Sequence, residues 1–198
     1  MKTIVPRSFY ERPDVETIAR ELLGKVIVTE FDAGRTAGII TETEAYAGVL
    51  DKASHASGGR RTARNEPMYG RGGLAYVYLC YGIHHLFNVV TNGPGIPHAV
   101  LVRGIQPLEG MEVMRARRGG TKLTTSGPGT LTTALGIRTE LSGSDLLTGP
   151  IRLEDHGIRF PPEDLLVGPR IGVDYAGEDA LLPYRFRIAP SRLPSWAR

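Results

Sequence analysis

The apolar residues Val15, Ile18, Ala19, Leu22 and Leu23 recur at the spacing of one helix face. Pro13 and Asp14 supply a start signal for that helix and Gly24 a stop. The next six residues, 25–30, are dominated by β-branched side chains and predict a strand. Residues 31–35 form a turn, and 36–43 predict the returning strand of a hairpin. This places Glu44 and Tyr46 at or just past a strand end. Residues 47–75 lose all periodicity and carry glycine at 48, 58, 59, 70, 72 and 73, so a long irregular connection is expected there. Three β-rich runs follow at 76–80, 84–91 and 99–105, with Gly82 as a tight point between the first two. Helices are predicted over 108–118, stopped by Gly119-Gly120, and over 127–136, with Pro128 near its start. Short strands are expected at 151–154, 170–173 and 184–188. The pattern shows no repeat and no linker. It predicts an α+β fold: a single domain over 1–198, with a curved, mostly antiparallel sheet, flanking helices and long functional loops.

Composition narrows the class. A chain of 198 residues with 41% hydrophobic and 23% charged residues is ordinary for a soluble globular protein. The lone cysteine, Cys80, excludes an intramolecular disulfide framework and cysteine-based zinc clusters. Set in an apolar run, it reads as a buried thiol. The five histidines lack metal-ligand spacing, so neither a metal site nor a cofactor is expected. No stretch approaches the ~18 apolar residues of a membrane-spanning helix, and no signal peptide is evident, which predicts a cytoplasmic protein.

The net charge of +3 hides an asymmetry. Residues 51–125 hold ten basic and four acidic groups, while the flanking segments are slightly acidic. Twenty of the 24 basic residues are arginine, whose planar fork suits phosphate. Five of the eight tyrosines fall between Tyr46 and Tyr81 in and beside this basic stretch. Aromatic side chains interleaved with arginines around a carboxylate suggest hydrolytic chemistry on a polyanion with flat bases.

Individual residues sharpen that picture without closing it. Glu44 fits a general base on water, and Glu42, two residues earlier, shares its strand face. Read alone, both also fit solvated edge carboxylates. Tyr76 and Tyr78 share a strand face, while Tyr81 falls on the opposite face or the turn. Core packing and stacking on a base both suit them. Arg60, Arg61 and Arg64 lie in a glycine-rich loop suited to the nucleic-acid backbone. Arg103 ends the apolar run Ala99-Val100-Leu101-Val102 and needs a partner, for which Glu44 is a candidate. An ordinary structural ion pair fits it equally well.

Several separated motifs together resemble the alkyladenine (3-methyladenine, or methylpurine) DNA glycosylase family in its short bacterial form. They are Ala19 to Lys25, Thr43-Glu44-Ala45-Tyr46, the block from His55 to Asn65, Tyr76-Val77-Tyr78 with Tyr81-Gly82, and Asn88. Arg103 with Pro107-Leu108-Glu109-Gly110, Ser126-Gly127-Pro128 and Arg170-Ile171-Gly172-Val173 complete the set. The turn at 48–51 and the loop at 91–97 depart from the family pattern.

The resemblance implies roles for matching positions. Glu44 would activate water and Arg103 would help hold it. Tyr46, His55 and Tyr78 would stack on a flipped base, with the His55 backbone amide donating to the purine. Asn88 would crowd the 2-amino group of normal guanine, and Tyr81 would enter the duplex where the base had been. The implied partner is double-stranded DNA containing damaged purines, and a monomer with no membrane association is expected. The implied reaction is monofunctional glycosidic hydrolysis within base excision repair, leaving an abasic site. A lesion-binding protein without turnover would keep the aromatics and arginines but would not need Glu44 or Arg103. A hydrolase of free nucleosides would not need Tyr81.

Overall fold

The computed structural model describes residues 2–120 and 123–193; the ends of the expected 1–198 domain, Met1 and residues 194–198, lie outside them. The chain begins with a two-residue strand, β1 (Thr3–Ile4), and a single helical turn, α1 (Arg7–Tyr10). The predicted amphipathic helix is α2 (Val15–Glu21), where Asp14 caps the start by accepting from the Thr17 amide at 3.0 Å. Its apolar stripe is buried through Val15, Ile18, Ala19 and Leu22. The hairpin follows as β2 (Val26–Phe31) and β3 (Gly34–Tyr46). β3 is longer than predicted, so Glu44 lies within the strand and Tyr46 is its last residue, at the strand end as expected.

Beyond the irregular connection come β4 (Ala75–Cys80), β5 (His84–Thr91) and β6 (His98–Glu109). Helices α3 (Met111–Arg118) and α4 (Pro128–Leu135) precede β7 (Ile151–Asp155), β8 (Leu165–Gly168) and β9 (Arg185–Ile188). The sheet runs β1-β7-β2-β3-β6-β5-β4, with β9 bridging β3 and β8, and its described pairs are all antiparallel. Edge strand β4 does not end in open backbone. The Ala75 amide donates to Ser144, Gly143 donates back to Ala75, and the Ser142 hydroxyl accepts from Val77. The fold is the expected α+β class, with one principal core under α2 and α4.

Four expectations change. The 47–75 connection is not structureless: it carries 3-10 turns at Gly48–Leu50, Ser57–Gly59 and Glu66–Tyr69. The helix expected from 108 begins at Met111, because β6 continues to Glu109 and Gly110 turns the chain at φ 72°. The strand expected at 170–173 is a loop; the strand pairing with β9 lies earlier, at Leu165–Gly168. Cys80 is half-buried rather than buried.

The central strand β3 has a change of partner and a change of phase. Along residues 34–39 it pairs with β2, and along 42–44 with β9, while β6 runs beside it on the other edge. Ile40, Thr43 and Ala45 all face the core, so the period of two slips between 40 and 43. The pairing shows why. Ile40 opposes Ile105 and Thr43 opposes Val102, yet Glu42 opposes Gly104. Thr41 and Arg103 are therefore extra residues, one bulge on each strand. The bulges turn Glu42, Glu44 and Arg103 onto the same side, away from the core.

Gly38 marks a second tight point between these strands, where a Cβ would lie 2.6 Å from Ile105 Cδ1 and 3.2 Å from the Gln106 carbonyl. Gly38→Ala is expected to cost about 1–3 kcal/mol by overpacking. Urea denaturation should show a lower midpoint at unchanged slope; a wild-type midpoint would contradict the packing described.

Candidate functional site

On the bulged face lies a cavity of about 550 Å³, a size suited to a small flat ligand. β3 contributes Tyr46, β4 Tyr76 and Tyr78, β5 Asn88, β6 Leu101 and Arg103, and the irregular connection His55 and Arg64. The predicted residues Tyr46, His55, Tyr78, Asn88, Arg103 and Tyr81 thus converge from five separate segments. Glu44 does not itself line the cavity. It sits immediately behind the wall, with no solvent exposure.

Three hydrogen-bond donors hold the Glu44 carboxylate, with a second Arg103 nitrogen at ion-pair distance. The Ile171 amide donates to Oε1 at 2.8 Å and the Tyr46 hydroxyl to Oε2 at 2.9 Å. Arg103 donates from Nη1 to Oε2 at 3.3 Å, and its Nε lies 3.3 Å from Oε1. The Arg103 Nε–H also faces Glu42 Oε1 at 3.3 Å, and Arg185 Nε reaches the same oxygen at 2.6 Å. Burial raises the Glu44 pKa above the ordinary carboxylate value; Arg103, the Ile171 amide and the Tyr46 hydroxyl pull it back, and Glu42 pushes it up. A buried carboxylate with a raised pKa, one cation and a neighbouring cavity is suited to exchange a proton with a bound molecule.

The walls are aromatic and mostly uncharged. His55 and Tyr78 meet edge to face with ring centroids 4.6 Å apart, and Tyr76 and Tyr78 lie 5.4 Å apart. His55 Nδ1 is paired with the Tyr76 hydroxyl at 2.8 Å. Burial, with Arg64 and Arg60 nearby, pushes the imidazole down to about 4. It is therefore neutral at physiological pH. Asn88 is fixed by donating to the Tyr76 carbonyl at 3.1 Å, which leaves its side-chain oxygen free of that bond. The loop that presents His55 is itself built around Asn65, which donates to the His55 and Arg60 carbonyls and accepts from the Thr62 amide.

Tyr81 stands at the tip of the β4–β5 hairpin, 90% exposed. It has φ 51° and Gly82 φ 73°, the φ signature of a type I′ turn closed by a Cys80–Ile83 backbone bond of 3.2 Å. A bulky residue in this conformation is unusual and costs on the order of 1–3 kcal/mol. Ile83 beside it is also exposed.

The three arginines assigned to the nucleic-acid backbone differ. Arg60 is exposed and free to reach outward. Arg61 forms a fork to Glu66 at 2.9 and 2.5 Å. Arg64 is also exposed, but its guanidinium lies 5.0 Å from the Tyr78 ring centre, at the edge of the cavity wall.

Several site residues were not singled out in the sequence. Arg170 and Asp51 form a fully buried ion pair, with Arg170 Nη2 at 2.9 Å from Asp51 Oδ1. The Arg170 guanidinium also stacks 4.8 Å from the Tyr46 ring centre. Asp51 accepts from the Ala47 and Ala53 amides as well. The 48–51 turn is therefore an anchor, and it fixes the loop carrying Ile171. Tyr175 crosses the cavity mouth and donates to the Ala53 carbonyl at 3.0 Å. The motif Arg170-Ile171-Gly172-Val173 was the available signal; its partners lay more than a hundred residues away. Among the described residues no group of three His, Cys, Asp or Glu could hold a metal ion.

A buried carboxylate behind an aromatic cavity, with an exposed aromatic at the rim, is an arrangement suited to hydrolysis at a flat heterocycle. Comparison with known proteins gives the family. Residues 8–192 match the family model "Methylpurine-DNA glycosylase (MPG)". Relatives named "Putative 3-methyladenine DNA glycosylase" include one from Chlamydia abortus, 47% identical over 93% of this chain and 98% of its own. One from Methanocella arvoryzae is 48% identical over 92% and 91%, and one from Bacillus licheniformis 45% over 96% of each chain. The chain belongs to the methylpurine-DNA glycosylase family, which makes it an N-glycosylase of DNA repair.

The depressed His55 value has a sign that can be checked. Between about 4 and 6.5 the unfolded chain binds a proton that the folded site refuses, so this residue's contribution to stability is present above 6.5 and lost as pH falls through that window. Imidazole NMR shifts of the folded protein should show His55 neutral at pH 5.5. A protonated ring at that pH would contradict the site geometry.

Proposed function

We propose that this protein removes alkylated purines, 3-methyladenine among them, and deaminated purines from duplex DNA by hydrolysing the N-glycosidic bond. The lesion is rotated out of the stack into the cavity, and the product is an abasic site with the strand intact. The observation that carries this reading is the fully buried Glu44 carboxylate, held by three hydrogen-bond donors directly behind the aromatic cavity. Keeping a charge there costs several kcal/mol before compensation. A lesion-binding protein without turnover has no use for that arrangement.

The chemistry follows from the parts. Alkylation at N3 or N7 makes a purine cationic and a good leaving group. Tyr46, His55 and Tyr78 enclose it, and aromatic faces favour a cation. The neutral His55 adds no charge to oppose the positive base, and its backbone amide is assigned as a donor to the purine. The sugar develops oxocarbenium character as the bond breaks. Glu44 stabilises that charge and takes a proton from the attacking water, which Arg103 helps to hold. Because Glu44 is fully buried, the attacking water must displace one of its present donors to reach the carboxylate. Asn88 is assigned to crowd the guanine 2-amino group. Tyr81 fills the gap left in the duplex. Arg60 and Arg64 contact the backbone, and Arg61 does so by exchanging Glu66 for a phosphate. No lysine is assigned as a nucleophile, which is why no lyase step follows. We assign the protein to the cytoplasm, acting there as a monomeric, single glycosylase domain without a cofactor.

Glu44→Gln should retain lesion binding and lower base release from alkylated duplex DNA by at least about a thousandfold, the scale on which general-base and electrostatic contributions combine. Base release at the wild-type rate would overturn the mechanism. Strand scission in the wild-type reaction before alkali treatment would overturn the monofunctional assignment. Tyr81→Asn separates side chain from backbone, because asparagine suits positive φ. It should fold at least as stably as wild type yet act more weakly on duplex lesions. Undiminished action on duplex DNA would remove Tyr81 from the flipping step.

A further inference from the structure

One guanidinium, that of Arg103, stands between two carboxylates. Its Nε lies 3.3 Å from Glu42 Oε1 and equally 3.3 Å from Glu44 Oε1. The Nε–H itself donates to Glu42, while Glu44 receives its hydrogen bond from Nη1 at 3.3 Å and has Nε only at ion-pair distance. Glu42 has a second cation in Arg185, whose Nε reaches Glu42 Oε1 at the shorter distance of 2.6 Å. Neither Glu42 nor Arg185 lines the cavity, whereas Arg103 does.

The backbone is arranged to make this cluster. The paired bulges at Thr41 and Arg103 bring Glu42, Glu44 and Arg103 onto one side. Gly104 opposes Glu42, and a Cβ there would lie only 3.3 Å from Glu42 Cβ. β9 replaces β2 beside β3 at this point and sets Arg185 directly opposite Glu44 in register. Three strands thus meet where two carboxylates need two cations.

We propose that Glu42 and Arg185 are positioning residues for the reaction: Glu42 holds the Arg103 guanidinium from behind, and Arg185 cancels the charge of Glu42 so that Arg103 serves Glu44. The proposal rests on the reading of Glu44 as the base. Without Arg185, Glu42 is an unopposed anion that draws Arg103 away from Glu44. Without the charge on Glu42, Arg103 pairs with Glu44 alone. The other charged or titratable groups near the cluster are Tyr46 on β3, Arg187 exposed on β9, Tyr175 across the cavity, and Arg170, whose charge is already met by Asp51. None of these offers Glu42 a substitute partner as close as Arg185.

The two residues therefore have opposite signatures in the pH dependence of single-turnover base release from alkylated duplex DNA. Glu42→Gln keeps the shape and an acceptor but removes the charge, and the acidic limb should move down by about one pH unit. Arg185→Gln should move it up by a similar amount, Arg185→Lys should restore it, and Glu42→Gln with Arg185→Gln should return it near wild type. Lesion affinity should change little in any of them. Acidic limbs that stay in place, or that all move the same way with falling rates, would overturn the proposal and leave the cluster a structural ion pair. If Arg185→Gln fails to fold, the isosteric Glu42→Gln decides the matter alone. An active Glu44→Gln would sink the base reading itself. An inactive Glu44→Gln beside unmoved limbs would sink only the positioning role.

Discussion

A carboxylate removed from water must be compensated within the protein or it will take up a proton. Glu44 is compensated by donors from three different places: Tyr46 on its own strand, Arg103 on β6, and the Ile171 amide in a loop from the far end of the chain. None of these alone suffices. Satisfying Glu44 therefore requires β3, β6 and the 170–175 segment to be in place together. The Arg170–Asp51 pair locks that segment and stacks on Tyr46, so one buried ion pair supports two of the donors. The architecture around the cavity can be understood as the means of keeping this one charge satisfied.

The same logic extends to the cavity walls. Tyr76 fixes His55 through its hydroxyl and Asn88 through its carbonyl. Asn65 holds the loop that presents His55. Each wall residue is thus held by a neighbour, and the pocket is shaped before a ligand arrives. Such preorganisation lowers the cost of binding and fixes the reacting geometry.

Much of this was legible in the sequence, and the rest was hidden for identifiable reasons. Helix α2 was clear because its apolar stripe and its cap are local. The β2–β3 hairpin and the strands β4, β5 and β6 were clear for the same reason. Arg103 was readable as an unpaired charge ending an apolar run, and the structure brings it to Glu44. The bulge that aims it was not readable, because a bulge is a relation between two strands sixty residues apart. Residues 170–173 look like a strand by composition, yet Arg170 is drawn into a buried pair with Asp51, which no local pattern reveals. Tyr81 could be placed only near a turn. Its positive φ contradicts its residue type, and a violated local rule at a rigid tip is a common mark of function.

The two bulges on β3 and β6 have a further property. On both sides of the site the strands run in the same register, since Ile40 opposes Ile105 and Thr43 opposes Val102. The extra residue on one strand cancels the extra residue on the other. In the language of crystals, the site is a bound pair of dislocations, distinct from the separate register shift between Ala37 and Gly38 further along the same strands. Deleting Thr41 alone would shift every pair on one side and invert which residues face the core. Deleting Thr41 and Arg103 together would leave the pairing on either side of the site in its present register and erase only the site. Folding thus ties the two defects to each other, while chemistry alone keeps both of them present.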